Sequence, residues 1–354
     1  MLNLFKSQHR SVLGIDIGGT SVKILEISRV GEQYCVQGYY RALLPENTVE
    51  GNLIKNPEAV AGAIKKILTT ENVSCKFAAL AVPESLAISK MIQVNTGLSA
   101  QEIEELVAID ADKYIPYPID EINIDFNIIG PSTKNSAMLD VLIVASRSEN
   151  VTNRVDVITK AGLIAKVVDV ESYAVERAAQ LLKSQLPAGG DKKNIAIIDI
   201  GAIYTHLFVL NNMKIIFSRE DEFGGNQLID TIIDKYKINR LEAFEALEKG
   251  SLPAEAGHDV IAAFRELILI QVKRSLQFFF STSNHTYVDH IILAGGVAKL
   301  SGMAQLLEEH INIPTSIANP FAQMEFASHV NRDMILKDAP MLMVACGLAL
   351  RQIG

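Results

Sequence analysis

Two stretches of this chain follow one plan of apolar and polar positions. Leu13 to Ile17 is an apolar, β-prone run carrying one carboxylate, Asp16; Gly18-Gly19-Thr20-Ser21 and Lys23 follow, and a second β-prone run continues through Ile27. Ile195 to Leu210 repeats the order with Asp199, Gly201 and Thr205. Each stretch predicts a β-hairpin with a glycine turn, and the repetition predicts two related domains. A third apolar run from Ile291 meets Gly295-Gly296-Val297 and then a helix start at Lys299.

Between these landmarks the pattern alternates strands and helices. Tyr34 to Leu44 reads as a third strand, Asn56-Pro57 as the start of a helix through Leu68, and Lys76 to Val82 as a strand ending at Pro83. A unit of different character follows, Glu84 to Gly162. It holds alternating Leu86, Ile88, Met91 and Ile92, a capping box at Ser99 and Glu102, and a helix running toward Tyr114. Pro116-Tyr117-Pro118 stops that helix; strands at 122–129 and 139–146 and a closing amphipathic helix at 149–161 complete the unit. Strand 165–170 and helix 171–182 return to the first domain, and residues 186–193 read as a linker. In the second domain Lys214 to Phe217 is a third strand and Gly224-Gly225-Asn226-Gln227 opens a helix. Helices follow at 240–249, 259–280, 299–310 and 339–351, the last expected to pack back on the first domain.

Composition narrows the classes. With 354 residues, 49% apolar and 21% charged, the chain is globular and long enough for two domains. A net charge of −8 without a Lys/Arg cluster argues against nucleic acid as a partner. Cys35, Cys75 and Cys346 are scattered without metal-ligand spacing, which reads as reduced thiols in a cytoplasmic protein. No apolar run approaches the roughly 20 residues of a membrane span.

The glycine turns supply the candidate chemistry. Backbone N–H groups of Gly18 and Gly19, the hydroxyls of Thr20 and Ser21 and the Lys23 ammonium can converge on one phosphate tail. Asp16 would repel that tail directly and suits a magnesium ion held through water. An ordinary Gly-Gly hairpin with a surface Asp is the plain alternative. The helix start at Gly224-Gly225 offers a positive dipole end to a phosphate or ribose, or is a simple loop-to-helix turn.

Two Asp-x-Gly hairpins in tandem, followed by strand, Gly-Gly and helix, resemble the phosphate and adenosine motifs of the actin, DnaK-type chaperone and sugar kinase superfamily. In DnaK-like relatives a Lys-Arg pair on the long helix reaches the adenosine, which here implies Lys273 and Arg274; a solvated basic patch is the alternative. Gly14 to Lys23 also resembles glucokinase-type sugar kinases, and Glu255-Ala-Gly257-His258 resembles their sugar-binding motif. The Asn-Asp-x-Asn setting and the Cys cluster of those enzymes are missing, leaving Asp169 as the remaining candidate base.

A finer resemblance spans nearly the whole chain. Leu2 to Phe5, Ile15 to Lys23, Val82-Pro83, Lys113 to Glu121, Val168 to Ala178, Phe223 to Asn226, Arg274 to Phe279 and Leu293 to Val297 together resemble the PilM family of type IV pilus assembly proteins, similar to the division protein FtsA. It implies an α/β, actin-like (ribonuclease H-like) two-domain fold with a small α/β subdomain inserted in the first domain, as in FtsA. The first domain would comprise 1–83, 163–190 and 338–354, the insert 84–162, and the second domain 191–337 with a helical subdomain at about 221–287.

The resemblance further implies ATP and magnesium as ligands, weak or no ATPase activity, and capture of the N-terminal cytoplasmic peptide of PilN. PilO and the inner-membrane platform would be reached indirectly. Asp16 and Asp199 would flank the metal; Gly18 to Ser21 and Lys23 would hold phosphates; Gly224, Gly225, Lys273, Arg274, Gly295 and Gly296 would hold ribose and base, and Gly201 and Val297 would belong to the same nucleotide site. No residue stands out as positioning an attacking water. Tyr114, Pro116 and Tyr117, with Arg147, would edge a peptide groove between the insert and the first domain, unless they only pack the insert's own core.

Overall fold

The computed structural model describes residues 11–351 apart from Glu32, Lys134 and Pro253, with backbone only for 254–258. Leu2 to Phe5 and the side chains of Glu255 and His258 therefore lie outside the described residues. The first domain opens with β1 (Leu13–Ile17), β2 (Ser21–Val30), β3 (Gln33–Leu43), the short β4 (Val49–Glu50) and β5 (Leu53–Ile54), α1 (Pro57–Thr70) and β6 (Phe77–Val82). The insert holds β7 (Ala87–Asn95), α2 (Ala100–Tyr114), β8 (Ile122–Pro131) and β9 (Met138–Arg147), followed by α3 (Ser148–Lys160), β10 (Ile164–Val170) and α4 (Glu171–Ala179). The second domain comprises β11 (Asn194–Ile200), β12 (Thr205–Asn211), β13 (Lys214–Asp221), α5 (Asn226–Tyr236), α6 (Arg240–Lys249), α7 (Ala254–Thr282), β14 (His290–Ala294), α8 (Met303–Ile311) and β15 (Thr315–Ile317). The chain finishes with β16 (Glu325–Phe326), α9 (Arg332–Asp338) and α10 (Met343–Ala349).

Local chemistry sets the element ends. The Asn56 side chain accepts from Ala59 N–H with Pro57 in the first turn of α1, and Ser99 and Glu102 cap α2 reciprocally. Both expected hairpins form, β1–β2 and β11–β12, each antiparallel and in unbroken register. They sit inside two sheets of orders β10-β6-β1-β2-β3-β16 and β13-β12-β11-β14-β15. A core that takes Leu25, Ile197 and Phe208 from the two sheets, Val175 from α4 and Met343 from α10 joins the domains. The helix α10 does pack back on the first domain: a Cβ at Gly14 would strike the Ala345 carbonyl, and one at Gly347 the Ala174 carbonyl. Glycine at both places lets backbone lie on backbone.

Three sequence expectations change. The helix α3 does not close the insert, whose sheet is β7-β9-β8; its Val157 and Ile158 are fully buried among Leu13, Val60 and Ile64 of the first domain. Helical periodicity marks an apolar face and not the partner that covers it. The return to the first sheet comes earlier than residue 338, because β16 pairs in parallel with β3. Gly295-Gly296 leads into a single tight turn, Gly296–Lys299, before α8 begins at Met303.

Candidate functional site

The two hairpins face each other across a cavity of about 370 Å³. Asp16, Gly18, Gly19, Thr20, Ser21 and Lys23 line one wall, with Asp199, Gly201, Gly225, Gly295, Gly296 and Val297 opposite. Each turn closes the same way: Gly18 N–H donates to the Ser21 carbonyl at 3.0 Å and Gly201 N–H to the Tyr204 carbonyl at 2.9 Å. A Cβ on Gly19 would strike the Ile203 side chain, so one hairpin tip rests on the other. Gly295, at φ +85°, passes so close to Ile200 and Asp199 that a side chain has no room, while Gly296 faces open space.

Cross-strand register gives each carboxylate a basic neighbour. Asp16 lies opposite Lys23, whose ammonium donates to Asp16 Oδ2 at 2.7 Å with both side chains nearly buried. Asp199 lies opposite His206. Burial raises the Asp199 carboxyl to about 6; His206 and Lys23 pull it down and Asp16 pushes it up. The first residue of α4, Glu171, lines the same cavity and is pushed up to about 7, chiefly by burial and then by Asp16 and Asp199, against the pull of His206 and Arg154. Burial pulls His206 down, but its hydrogen bond to Glu220 and the carboxylates of Glu171 and Asp199 outweigh that and leave it raised. A carboxyl titrating near neutrality beside two aspartates can hold or release a proton there. Sequence reading missed Glu171, although it lies two residues after Asp169, and His206, which counting across the hairpin would have found.

The donor set fits a nucleotide with magnesium. Among the described residues no group of three or more His, Cys, Asp or Glu is arranged to cage a metal. Magnesium suits such a place, since it binds through one or two carboxylates and takes its other ligands from water and phosphate. Asn226 lines the cavity with a buried Oδ1 that has no hydrogen-bond partner, an acceptor open to a ligand hydroxyl. At the far end Arg41 pairs with Glu248 at 2.8 Å and Lys299 with Asp338 at 2.6 Å, so charged side chains from both domains close the cavity.

Several expected residues do other work. Lys273 and Arg274 are exposed on α7 and do not line the cavity. No described side chain of α7 lines the cavity; Arg265 of this helix donates to the Ser301 carbonyl next to the lining residue Leu300, and Lys273 lies roughly 12 Å further along the axis. Gly224 is also off the lining, its Cα packed under the Ala202 carbonyl. The amides of Gly225, Asn226 and Gln227 donate to Gly201, Ala202 and Gly224, so the start of α5 is tied to the second hairpin and these donors are already engaged. Asp169 accepts from Arg177 at 2.8 Å and Arg351 at 3.0 Å and does not line the cavity, which takes it out of consideration as a base.

Tyr114, Pro116, Tyr117 and Arg147 come together where α2 ends against β8 and β9. The Arg147 guanidinium stands 4.3 Å over the Tyr117 ring and also meets Glu149 at 3.4 Å. Tyr114 and Tyr117 are half-buried against Ile115, Ile122 and Ala145, and Pro116 is exposed.

The family model described as Type IV pilus assembly protein PilM matches residues 14–353. Among solved structures, a chain of the "PilM-PilN type IV pilus biogenesis complex" is 25% identical with a TM-score of 0.79, over 97% of this chain and 98% of that one. The ethanolamine utilization protein EutJ from Carboxydothermus hydrogenoformans, 15% identical, shares the fold at a TM-score of 0.57, over 99% of this chain and 92% of its own. The architecture is the two-domain actin-like fold.

Proposed function

This chain belongs to the family of type IV pilus assembly protein PilM, and we propose that it serves there as an ATP-binding scaffold that holds the N-terminal cytoplasmic peptide of PilN. The observation that carries the nucleotide half is the pair of Asp-Gly hairpins, each with a basic side chain opposite its aspartate, facing one cavity. Asp16 and Asp199 would hold hydrated magnesium, the first hairpin and Lys23 the phosphates, and Asn226, Gly225, Gly295, Gly296 and Val297 the ribose and base. Bound ATP-magnesium would supply a charged bridge between the two domains. Glu171 holds a titratable proton beside the aspartates, which is compatible with weak turnover and does not require it.

The partner half rests on the similarity to the chain solved in a PilM-PilN complex. We place the peptide against Tyr114, Pro116, Tyr117 and Arg147, where two half-buried rings and a guanidinium offer apolar and polar contacts to an extended tail. No helix among the described residues is long and apolar enough to cross a membrane. Attachment to the inner membrane, and any contact with PilO and the platform, would then pass through the peptide, with the chain itself in the cytoplasm.

A thermal shift series tests the first half. Magnesium-ATP should raise the melting temperature, by about 2.7 kcal/mol of stabilisation at a hundred times Kd, and no shift from a demonstrably empty protein refutes ATP binding. For the second half, a labelled PilN N-terminal peptide is titrated against wild type, Tyr117→Ala and Arg147→Ala, each confirmed folded. Weaker binding in both variants is expected; equal affinity would place the peptide elsewhere.

A further inference from the structure

A row of polar side chains crosses the second sheet and ends on the other domain. Asp199 lies opposite His206 in the β11–β12 register, and His206 opposite Glu220 in the β12–β13 register, so three neighbouring strands present these groups side by side. Asp199 and His206 line the cavity, whereas Glu220 does not. Its carboxylate meets His206 Nε2 at 3.0 Å and accepts from Asn52 Nδ2 at 3.1 and 3.0 Å and from Ser85 Oγ at 3.4 Å. Asn52 belongs to the turn between β4 and β5, and Ser85 to the Glu84–Leu86 turn through which the chain leaves β6 for the insert. Beside it Ser218 of β13 donates to Glu84 Oε1 at 3.2 Å. The Asn52 carbonyl in turn accepts from Arg154, a cavity residue, at 3.0 Å.

We propose that this row is a strap through which a ligand in the cavity fixes the orientation of the insert, so that magnesium-ATP and the insert-bound peptide bind cooperatively. The inference rests on the proposed function and names how its two halves are coupled. Hydrogen bonds are directional and fail when donor and acceptor separate by more than a few tenths of an ångström beyond contact, while apolar surfaces tolerate sliding. A small rotation between the domains therefore opens the Glu220 contacts before it disturbs the shared core. A ligand that touches both hairpins favours the relative position seen here, in which the row is closed and the root of the insert is held. A peptide that prefers the held insert then binds more tightly, and the coupling factor is the same in either order of binding.

The test is a titration of a labelled PilN N-terminal peptide with and without saturating magnesium-ATP. Wild type, Glu220→Gln and Ser85→Ala are compared, so that the strap is opened once from each side at residues that do not line the cavity. About tenfold tighter peptide binding with ATP is expected in wild type, with the same factor on ATP affinity when peptide is added. In both variants each ligand should still bind alone while the factor falls to within about twofold. If wild type binds both ligands without a coupling factor, or if the factor survives in both variants, the strap is refuted and the proposed function stands. A wild type that binds neither ligand overturns both.

Discussion

The two hairpins around the cavity share a backbone and differ in the basic side chain that each sets across from its aspartate. In the first, Lys23 meets Asp16 in a nearly buried pair at 2.7 Å. In the second, His206 occupies the same register position opposite Asp199 but spends its Nε2 on Glu220. A histidine gains and loses its charge near neutrality, and the Glu220, Glu171 and Asp199 carboxylates raise this one. One half of the site thus sets an ammonium against its aspartate and the other an imidazole, with Asp199 raised to about 6 and Glu171 to about 7 beside the imidazole.

The sharpest break between them should appear in stability. Asp16→Ala leaves the Lys23 ammonium buried without its carboxylate and is expected to cost about 3 kcal/mol. Asp199→Asn should be neutral or stabilising above pH 7. The raised carboxyl is protonated in the folded state and ionised in the unfolded chain between about pH 4 and 6, so stability from this group falls as pH rises through that window. Denaturant midpoints for both variants at pH 8 check the contrast; equal losses would remove it.

Ligand binding tests the same difference at intermediate size. If the proposed site holds magnesium through an ionised Asp199, affinity for magnesium-ATP should weaken below about pH 6, by up to tenfold per pH unit for one competing proton. In Asp199→Asn the acid limb should flatten and overall affinity should be lower. Calorimetric titrations from pH 5 to 8, checked for folding, decide it, and an acid limb unchanged in the variant would assign the proton to another group. The smallest expected effect is on the alkaline side. His206→Lys makes the second hairpin like the first and should abolish a few-fold loss of ATP affinity as pH rises through the raised histidine pKa. An identical alkaline profile in wild type and variant would show that His206 does not contribute charge to the bound ligand.

Sequence alone determined the parts whose causes are local. Period-2 apolar runs ending at Gly18-Gly19 and Gly201 specify hairpins wherever they are placed, and Asn56-Pro57 and the Ser99/Glu102 box specify helix starts from within a single turn. The glycine turns of the cavity lining followed, because hairpin turns carry their side chains with them. Tertiary structure decided what depends on distant neighbours. An amphipathic pattern gave α3 a buried face, but Leu13, Val60 and Ile64 determined that it is buried against the first domain. Lys273 and Arg274 sit on a correctly read helix, yet the packing of α7 leaves them exposed and off the cavity lining. The titration of Glu171 and Asp199 comes from burial by elements far apart in the chain, and Glu220 gains its role because Asn52 and Ser85 reach it from the other domain. Backbone propensity and turn chemistry act over a few residues, whereas burial, field and interdomain contact are properties of the assembled volume that no window of sequence contains.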